Sequence, residues 1–125
     1  MTSFVIQLAS TRYAAREARA QIRKRLGEVV PASLLWDLLT VVTELVTNAV
    51  RHGYGGSVRI KVVVSDRGKV SGEVENDGYA RVEPRRMDRP TSTGGLGLHI
   101  VGAIADRWRV LSGRSTRVRF EISPP

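Results

Sequence analysis

The sequence predicts an α+β fold, a two-layer α/β sandwich whose mostly antiparallel mixed sheet carries its helices on one face. Three observations predict it. Stretches with apolar residues at alternate positions open the chain, follow its middle and close it. Stretches with apolar residues three and four apart lie between them. The order is strand, helix, helix, strand, strand, long loop, helix, strand, strand, and strands joined by short turns pair antiparallel. With 125 residues, 42% hydrophobic and 26% charged, the chain suits one domain spanning 1–125.

Each element has its own signal. Residues 3–8, SFVIQL, read as a short strand. From Thr11 to about Leu26, the residues Ala14, Ala15, Ala18, Ile22 and Leu26 recur at helical spacing among arginines. GEVVP breaks that helix, with Gly27 and Pro31 as punctuation. Ser33 is the expected N-cap of the next helix, with Asp37 near the positive end of its dipole. That helix runs to about His52 and stops at HGYGG. SVRIKVVVS then places Val58, Ile60, Val62 and Val64 on one face of a strand. DRGK is a hairpin turn into VSGEVEN, where Val70, Gly72 and Val74 share a face. DGYARVEPRRMDRPTST has no apolar period and reads as a loop of about fifteen residues, a length usual for functional lids. GGLGLHIVGAIADRW is a glycine-started helix, and RVLS and TRVRFEIS are closing strands joined at GRST.

Composition excludes several classes. No cysteine is present, so there are no disulfides or thiolate metal sites, which fits a cytoplasmic setting. Two histidines, His52 and His99, cannot build a histidine-rich metal centre. No uninterrupted apolar run approaches the roughly 20 residues of a bilayer span, and the N-terminus has no basic segment ahead of an apolar one. Neither a signal peptide nor a membrane partner is expected. The net charge of +8 is mostly arginine, densest at Arg81, Arg85, Arg86 and Arg89. Aromatics are not interleaved there, which argues against direct nucleic-acid binding as the main role.

Three stretches carry polar groups that a core does not need. In TELVTNAVRHG, Glu44, Asn48 and His52 recur every four residues and so fall along one stripe of the helix. A stripe of this kind is either the polar edge of an amphipathic helix or a site. As a site, Asn48 offers a neutral oxygen to a hard cation, and Glu44 can accept a proton or orient a water. In ENDG, Glu75 to Gly78, an amide followed by glycine is either a plain turn or a group that fixes a base edge. In GGLGLHIV, Gly94 to Val101, glycines at a helix start expose N–H groups where the dipole favours anions. This is either a phosphate cradle or a lid hinge. It is neither a Walker A loop nor a Rossmann fingerprint.

Together these stretches, in this order, resemble the three boxes of the GHKL (Bergerat-fold) ATPases over nearly the whole chain. Within that superfamily, ELVTNAVRHGYGG and GGLGLHIVGAIADRW are similar to the stand-alone anti-sigma-factor serine/threonine kinases of bacteria, especially of actinobacterial type. The resemblance implies ATP and Mg²⁺ as cofactors. It implies that the long helix buries Leu35, Leu38, Leu39, Val42, Leu45, Val46, Ala49 and Val50 against the sheet. Asn48 would hold Mg²⁺ bridging the phosphates, Glu44 would be the general base, and Arg51 would reach a phosphate. Asn76 and Gly78 would meet the base, Gly94, Gly95, Leu96, Gly97 and Leu98 would line the phosphate segment, and Thr116 would support adenine through water. The lid would be about 79–93. The implied partners are a sigma factor and an anti-anti-sigma antagonist, and the edge of the N-terminal strand would permit a homodimer.

Three positions depart from the family pattern. Asn76 stands where an aspartate usually accepts from the adenine amino group, and Ala80 where a glycine opens the lid. Thr93 stands where a lid arginine precedes the glycines, with Arg89 the nearest substitute. An asparagine can turn either its oxygen or its NH₂ to a base, so the sequence predicts weaker ATP-over-GTP discrimination than an aspartate would give. The leading expectation is a protein kinase of anti-sigma-factor type. The alternative is a nucleotide-binding module, weak or inactive as a catalyst, that sequesters a protein partner.

Overall fold

A computed structural model of the chain describes residues 1–52, 56–76 and 95–125, the side chains of 95–97 excepted. The expected lid about 79–93, with Ala80, Arg89 and Thr93, lies outside the described residues, as do Gly78 and Gly94. The elements are β1 (Thr2–Ala9), α1 (Ala14–Leu26), α2 (Ala32–His52), β2 (Ser57–Val64), β3 (Val70–Asn76), α3 (Gly95–Ile104), β4 (Arg107–Ser112) and β5 (Thr116–Ile122). The sheet order is β1-β2-β3-β5-β4, and each of its four pairings is antiparallel. This is the expected α+β sandwich.

Period-two alternation decides which sheet face meets the helices. The registers align Phe4, Val62, Gly72, Phe120 and Trp108 in one row across the strands. The next row is Ile6, Ile60, Val74, Val118 and Val110, and the next is Leu8, Val58, Asn76, Thr116 and Ser112. Most of these residues are buried in one hydrophobic core. The opposite face carries charges in register. Arg59, Glu75 and Arg117 form one row, and Lys61, Glu73, Arg119 and Arg109 another. Arg119 Nε donates to Glu73 at 2.7 Å there, an exposed pair worth little by itself.

The helices follow their apolar periods with adjusted ends. In α1, Ala14, Ala18, Ile22 and Leu26 are fully buried, each four residues from the last. It starts at Ala14 rather than Thr11. The Thr11 hydroxyl takes the Tyr13 N–H at 3.1 Å and its carbonyl takes the Ala14 N–H at 3.0 Å, a local turn that competes with helix. In α2 the first helical carbonyl belongs to Pro31, which accepts from the Leu35 N–H at 2.9 Å. Ser33 is therefore inside the first turn and not its cap, and Asp37 lies beyond that turn. Proline is tolerated at this cap position because the first N–H groups of a helix have no partner within it, so its missing N–H costs nothing there.

Helix α2 buries Leu34 and Val41 in addition to the expected Leu38, Leu39, Val42, Leu45, Val46 and Ala49. Leu35 and Val50 are only partly buried. The buried arc is wider than a one-sided helix needs because α2 packs on the sheet and on both other helices. Its 21 residues, with a window of mean hydropathy 1.3, meet the length and composition of a membrane span, which the search for an uninterrupted apolar run missed. Its apolar side is the core of this domain. Helix α3 stops at Ile104, earlier than expected, and Trp108 lies in β4. The chain is caught there by β5: the Asp106 N–H donates to the Glu121 carbonyl at 2.9 Å, and the Asp106 carboxylate accepts the Ser123 N–H at 2.7 Å. Hydrogen bonds from the Ser123 side chain and, second, from its backbone N–H hold the Asp106 carboxyl below the usual carboxylate range.

The hairpin at DRGK forms as expected. Gly68 has φ 85°, and its N–H donates to the Ser65 carbonyl at 2.9 Å. Gly72 has a different task. It sits opposite Phe120, and a Cβ there would overlap three atoms of the Phe120 ring. Gly72→Ala is expected to lower the unfolding free energy by about 2–3 kcal/mol through overpacking. Denaturant titration checks this, and Phe120→Leu in the same chain should recover part of the loss. An unchanged midpoint for Gly72→Ala would mean that the ring moves aside freely.

Candidate functional site

Two polar side chains are buried among the described residues, Asn76 at 4% exposure and Thr116 at 6%. They are direct neighbours across β3 and β5. Both belong to the sheet row that faces the helices, where every other buried position is apolar. A polar pair of this kind in a core row needs partners, because an unserved buried group costs about 1–3 kcal/mol. Asn76 finds one on α2: its Nδ2 donates to the Ala49 carbonyl at 3.2 Å. The strand that ends in Asn76 is thereby tied to the helix that carries Asn48.

On α2 the stripe is real. Glu44 and Asn48 are half-buried along one side, while Arg51 and His52 are exposed in the last turn. The Asn48 Nδ2 is buried and has no hydrogen-bond partner among the described residues. An amide can turn over, so this end of Asn48 can offer a donor to an anionic oxygen or an acceptor to a cation. The residues therefore fit a nucleotide with a divalent cation. No group of three or more His, Asp or Glu that could hold a metal occurs among the described residues. A cation here would depend on Asn48, phosphate oxygens and water, which is how Mg²⁺ commonly binds.

The remaining expected site residues divide. Gly95, Leu96, Gly97 and Leu98 form the opening of α3. The Leu98 side chain is buried in the core, so it packs α3 in place. Gly78 and Gly94 are outside the described residues. Thr116 heads β5, the last strand, beside Asn76. His99 is exposed on α3. The structure thus ties Asn76, paired with Thr116, to Ala49, the residue that follows Asn48 on α2. Sequence reasoning missed the Ala49 carbonyl, since a backbone acceptor has no residue-type signal. It also treated the Asn76 amide as able to turn either way, whereas its nitrogen is engaged.

Asn48 gives a test that needs no ligand. Asn48→Ala removes the unserved buried donor, so the ligand-free protein is expected to lose no stability, against the loss of about 1 kcal/mol typical of substitutions. Thermal unfolding without nucleotide measures this. A clear drop would mean that Asn48 already has a stabilising partner.

Solved structures share this architecture. The RsbU and RsbW domains of Rv1364c from Mycobacterium tuberculosis superpose with a TM-score of 0.74 at 23% identity, covering 98% of this chain and 32% of that one. The histidine kinase domain of the Erythrobacter litoralis EL346 blue-light activated histidine kinase matches with a TM-score of 0.60 at 18% identity, over 86% of this chain and 58% of that one. The Acinetobacter baumannii histidine kinase AdeS matches with a TM-score of 0.58 at 19% identity, over 94% of this chain and 67% of that one. This chain spans about a third of the Mycobacterium chain, and at these identities the likeness speaks for the fold. The family model of the histidine kinase-like ATPase domain matches residues 6–122. A domain of that kind implies ATP binding. The chain belongs to the histidine kinase-like ATPase domain family.

Proposed function

We propose that this protein is an ATP-binding cytoplasmic regulator of transcription, of anti-sigma-factor type, that acts as a serine/threonine-protein kinase. The observation that supports the reading is the buried, unserved amide of Asn48 on α2, one residue before the carbonyl to which the buried Asn76 is bonded. The likeness in fold to the structure of the RsbU and RsbW domains of Rv1364c is in keeping with that reading.

The roles follow from the chemistry of each group. Asn48 would turn its oxygen to Mg²⁺, which when bound neutralises phosphate charge. The backbone N–H groups of the segment Gly94 to Leu98 would hold phosphate oxygens at the start of α3. Arg51, exposed in the last turn of α2, would reach a phosphate. Asn76 would contact the base, with Gly78 admitting close approach and Thr116 supporting adenine through water. Glu44, one turn before Asn48, would take the proton from a serine hydroxyl of the partner as that oxygen attacks the terminal phosphoryl group. Phosphoryl transfer needs mainly positioning and charge neutralisation, so this small set suffices. The protein partners would be a sigma factor and an anti-anti-sigma antagonist.

Thr93 in place of a lid arginine favours a second reading, a module that binds nucleotide and sequesters a partner without turnover. One experiment separates the two. Partners are captured with and without Mg-ATP, then incubated with wild type and Glu44→Gln. The kinase reading expects equal ATP binding by both proteins and transfer reduced about 100-fold or more in the variant, since a general base acts in the transition state. Unchanged transfer excludes Glu44 as the base. Capture without any transfer by wild type favours sequestration.

A homodimer is also part of the proposal. β1 lies at one edge of the sheet, and TSFVIQLA has neither charge nor proline to protect it. Sedimentation is expected to give twice the 13.8 kDa chain mass. A monomer at tens of micromolar protein would remove this element.

A further inference from the structure

The sheet has two edge strands, β1 and β4, and the sequence dresses them differently. β1, TSFVIQLA, bears no charge. β4, RWRVLS, alternates Arg107, Arg109 and Leu111 on the outer face with Trp108, Val110 and Ser112 on the core face. On the side away from β5, no strand pairs with β4 among the described residues. Alternate residues of an edge strand hold their N–H and C=O groups outward, where one more strand can take them.

The core does not close at this edge. The rows that begin at Phe4 and Ile6 run across the sheet and end at Trp108 and Val110, which are only partly buried. On the other face positive charge is in excess. Arg109 lies directly opposite Arg119, a like-charge pair that destabilises a ladder. The neighbouring acids are already engaged. Arg119 holds Glu73 at 2.7 Å, and Lys69 holds Glu121, the residue opposite Arg107, at 2.5 Å. Arg109 is exposed and has no ion pair among the described residues.

We propose that the outer edge of β4 is a docking site for an extended segment of another protein, in which acidic and apolar residues alternate, bound as an added strand. Its backbone would continue the ladder, its acidic side chains would lie beside Arg107 and Arg109, and its apolar ones beside Trp108 and Val110. The period of two couples these requirements, since a segment with its acids in one block cannot serve both faces. The charge pattern decides against nearer candidates. A second β4 would bring arginines against arginines on the outer face, and β1 has no acid to offer. A nucleic acid answers the charge but neither the ladder nor the apolar row. The net charge of +8 draws an acidic partner toward the chain from a distance. No residue assigned to the nucleotide takes part, so the site stands whether or not ATP binds.

The test titrates the full chain with fluorescently labelled peptides of about eight residues, the length of an ordinary strand. One alternates glutamate with valine, a second has the same composition with the glutamates in one block, and a third has lysine for each glutamate. The alternating glutamate peptide is expected to bind about tenfold or more tighter than the block form. Its binding should slow hydrogen exchange at alternate amides of β4, read by NMR. Arg107→Glu combined with Arg109→Glu, two exposed positions, is expected to keep Tm and to exchange the preference, losing the glutamate peptide and gaining the lysine one. Equal binding of the alternating and block forms overturns the proposal. So does displacement by single-stranded DNA of equal charge without any slowing at β4, which would mark a surface for polyanions. Glutamate-peptide binding retained by the double variant also overturns it. No binding of the alternating peptide at millimolar concentration overturns it as well, and leaves the arginines as guards that keep other strands off the edge.

Discussion

The rest of this structure depends on the burial of one side of α2 against the sheet and its neighbouring helices. Leu34, Leu38, Val41, Val42, Leu45, Val46 and Ala49 are all buried on it. Each fully buried Leu or Val is worth about 1.5–3 kcal/mol, so together they outweigh any single hydrogen bond in the domain several times over. That burial fixes the rotation of the helix about its own axis. Once the apolar arc faces inward, Glu44 and Asn48 have no freedom to face anywhere but along its flank. The polar stripe is positioned by the greasy one.

Positioning along the helix axis comes from elsewhere. Hydrophobic contact is tolerant of small slides, and a hydrogen bond is not. The bond from Asn76 to the Ala49 carbonyl sets where the end of α2 sits over the sheet row of Val58, Asn76 and Thr116. One residue before Ala49 stands Asn48, with a buried nitrogen that nothing among the described residues serves. Adjacent positions on one helix thus show a satisfied polar group and an unsatisfied one. The first holds the helix, and the second is the group that the proposed site would offer to a ligand.

Much of this was legible in the sequence, for identifiable reasons. Val58, Ile60, Val62 and Val64 alternate without interruption, so β2 and its buried face could be read directly, as could the hairpin at Gly68. The four-residue spacing of Glu44 and Asn48 gave the stripe. Leu34 and Val41 were missed because periodicity marks one buried face, whereas α2 is covered from more than one direction. Ser33 looked like a cap by residue type, but Pro31 took the place by backbone geometry. Trp108 continued the apolar run of α3, and only the pull of β5 on Asp106 shows why the helix ends sooner. Asn76 was singled out by its motif, and the structure buries it beside Thr116. Its orientation was not legible, because the partner is a main-chain oxygen that any residue at 49 would supply.

The chain has two tryptophans, and the fold treats them differently. Trp36 stands on the outer side of α2 with 68% of its surface in water. Trp108 is partly buried on the core face of β4, and its indole nitrogen lies 3.3 Å from where a side chain on Gly102 of α3 would begin. Its surroundings therefore include the helix whose first turn is the glycine-rich segment. Any shift of α3 relative to the sheet changes the polarity around that indole, while Trp36 keeps its aqueous surroundings. The protein carries its own optical gauge, in which the blue-shifted share of the emission reports the seating of α3 and the red-shifted share serves as an internal reference.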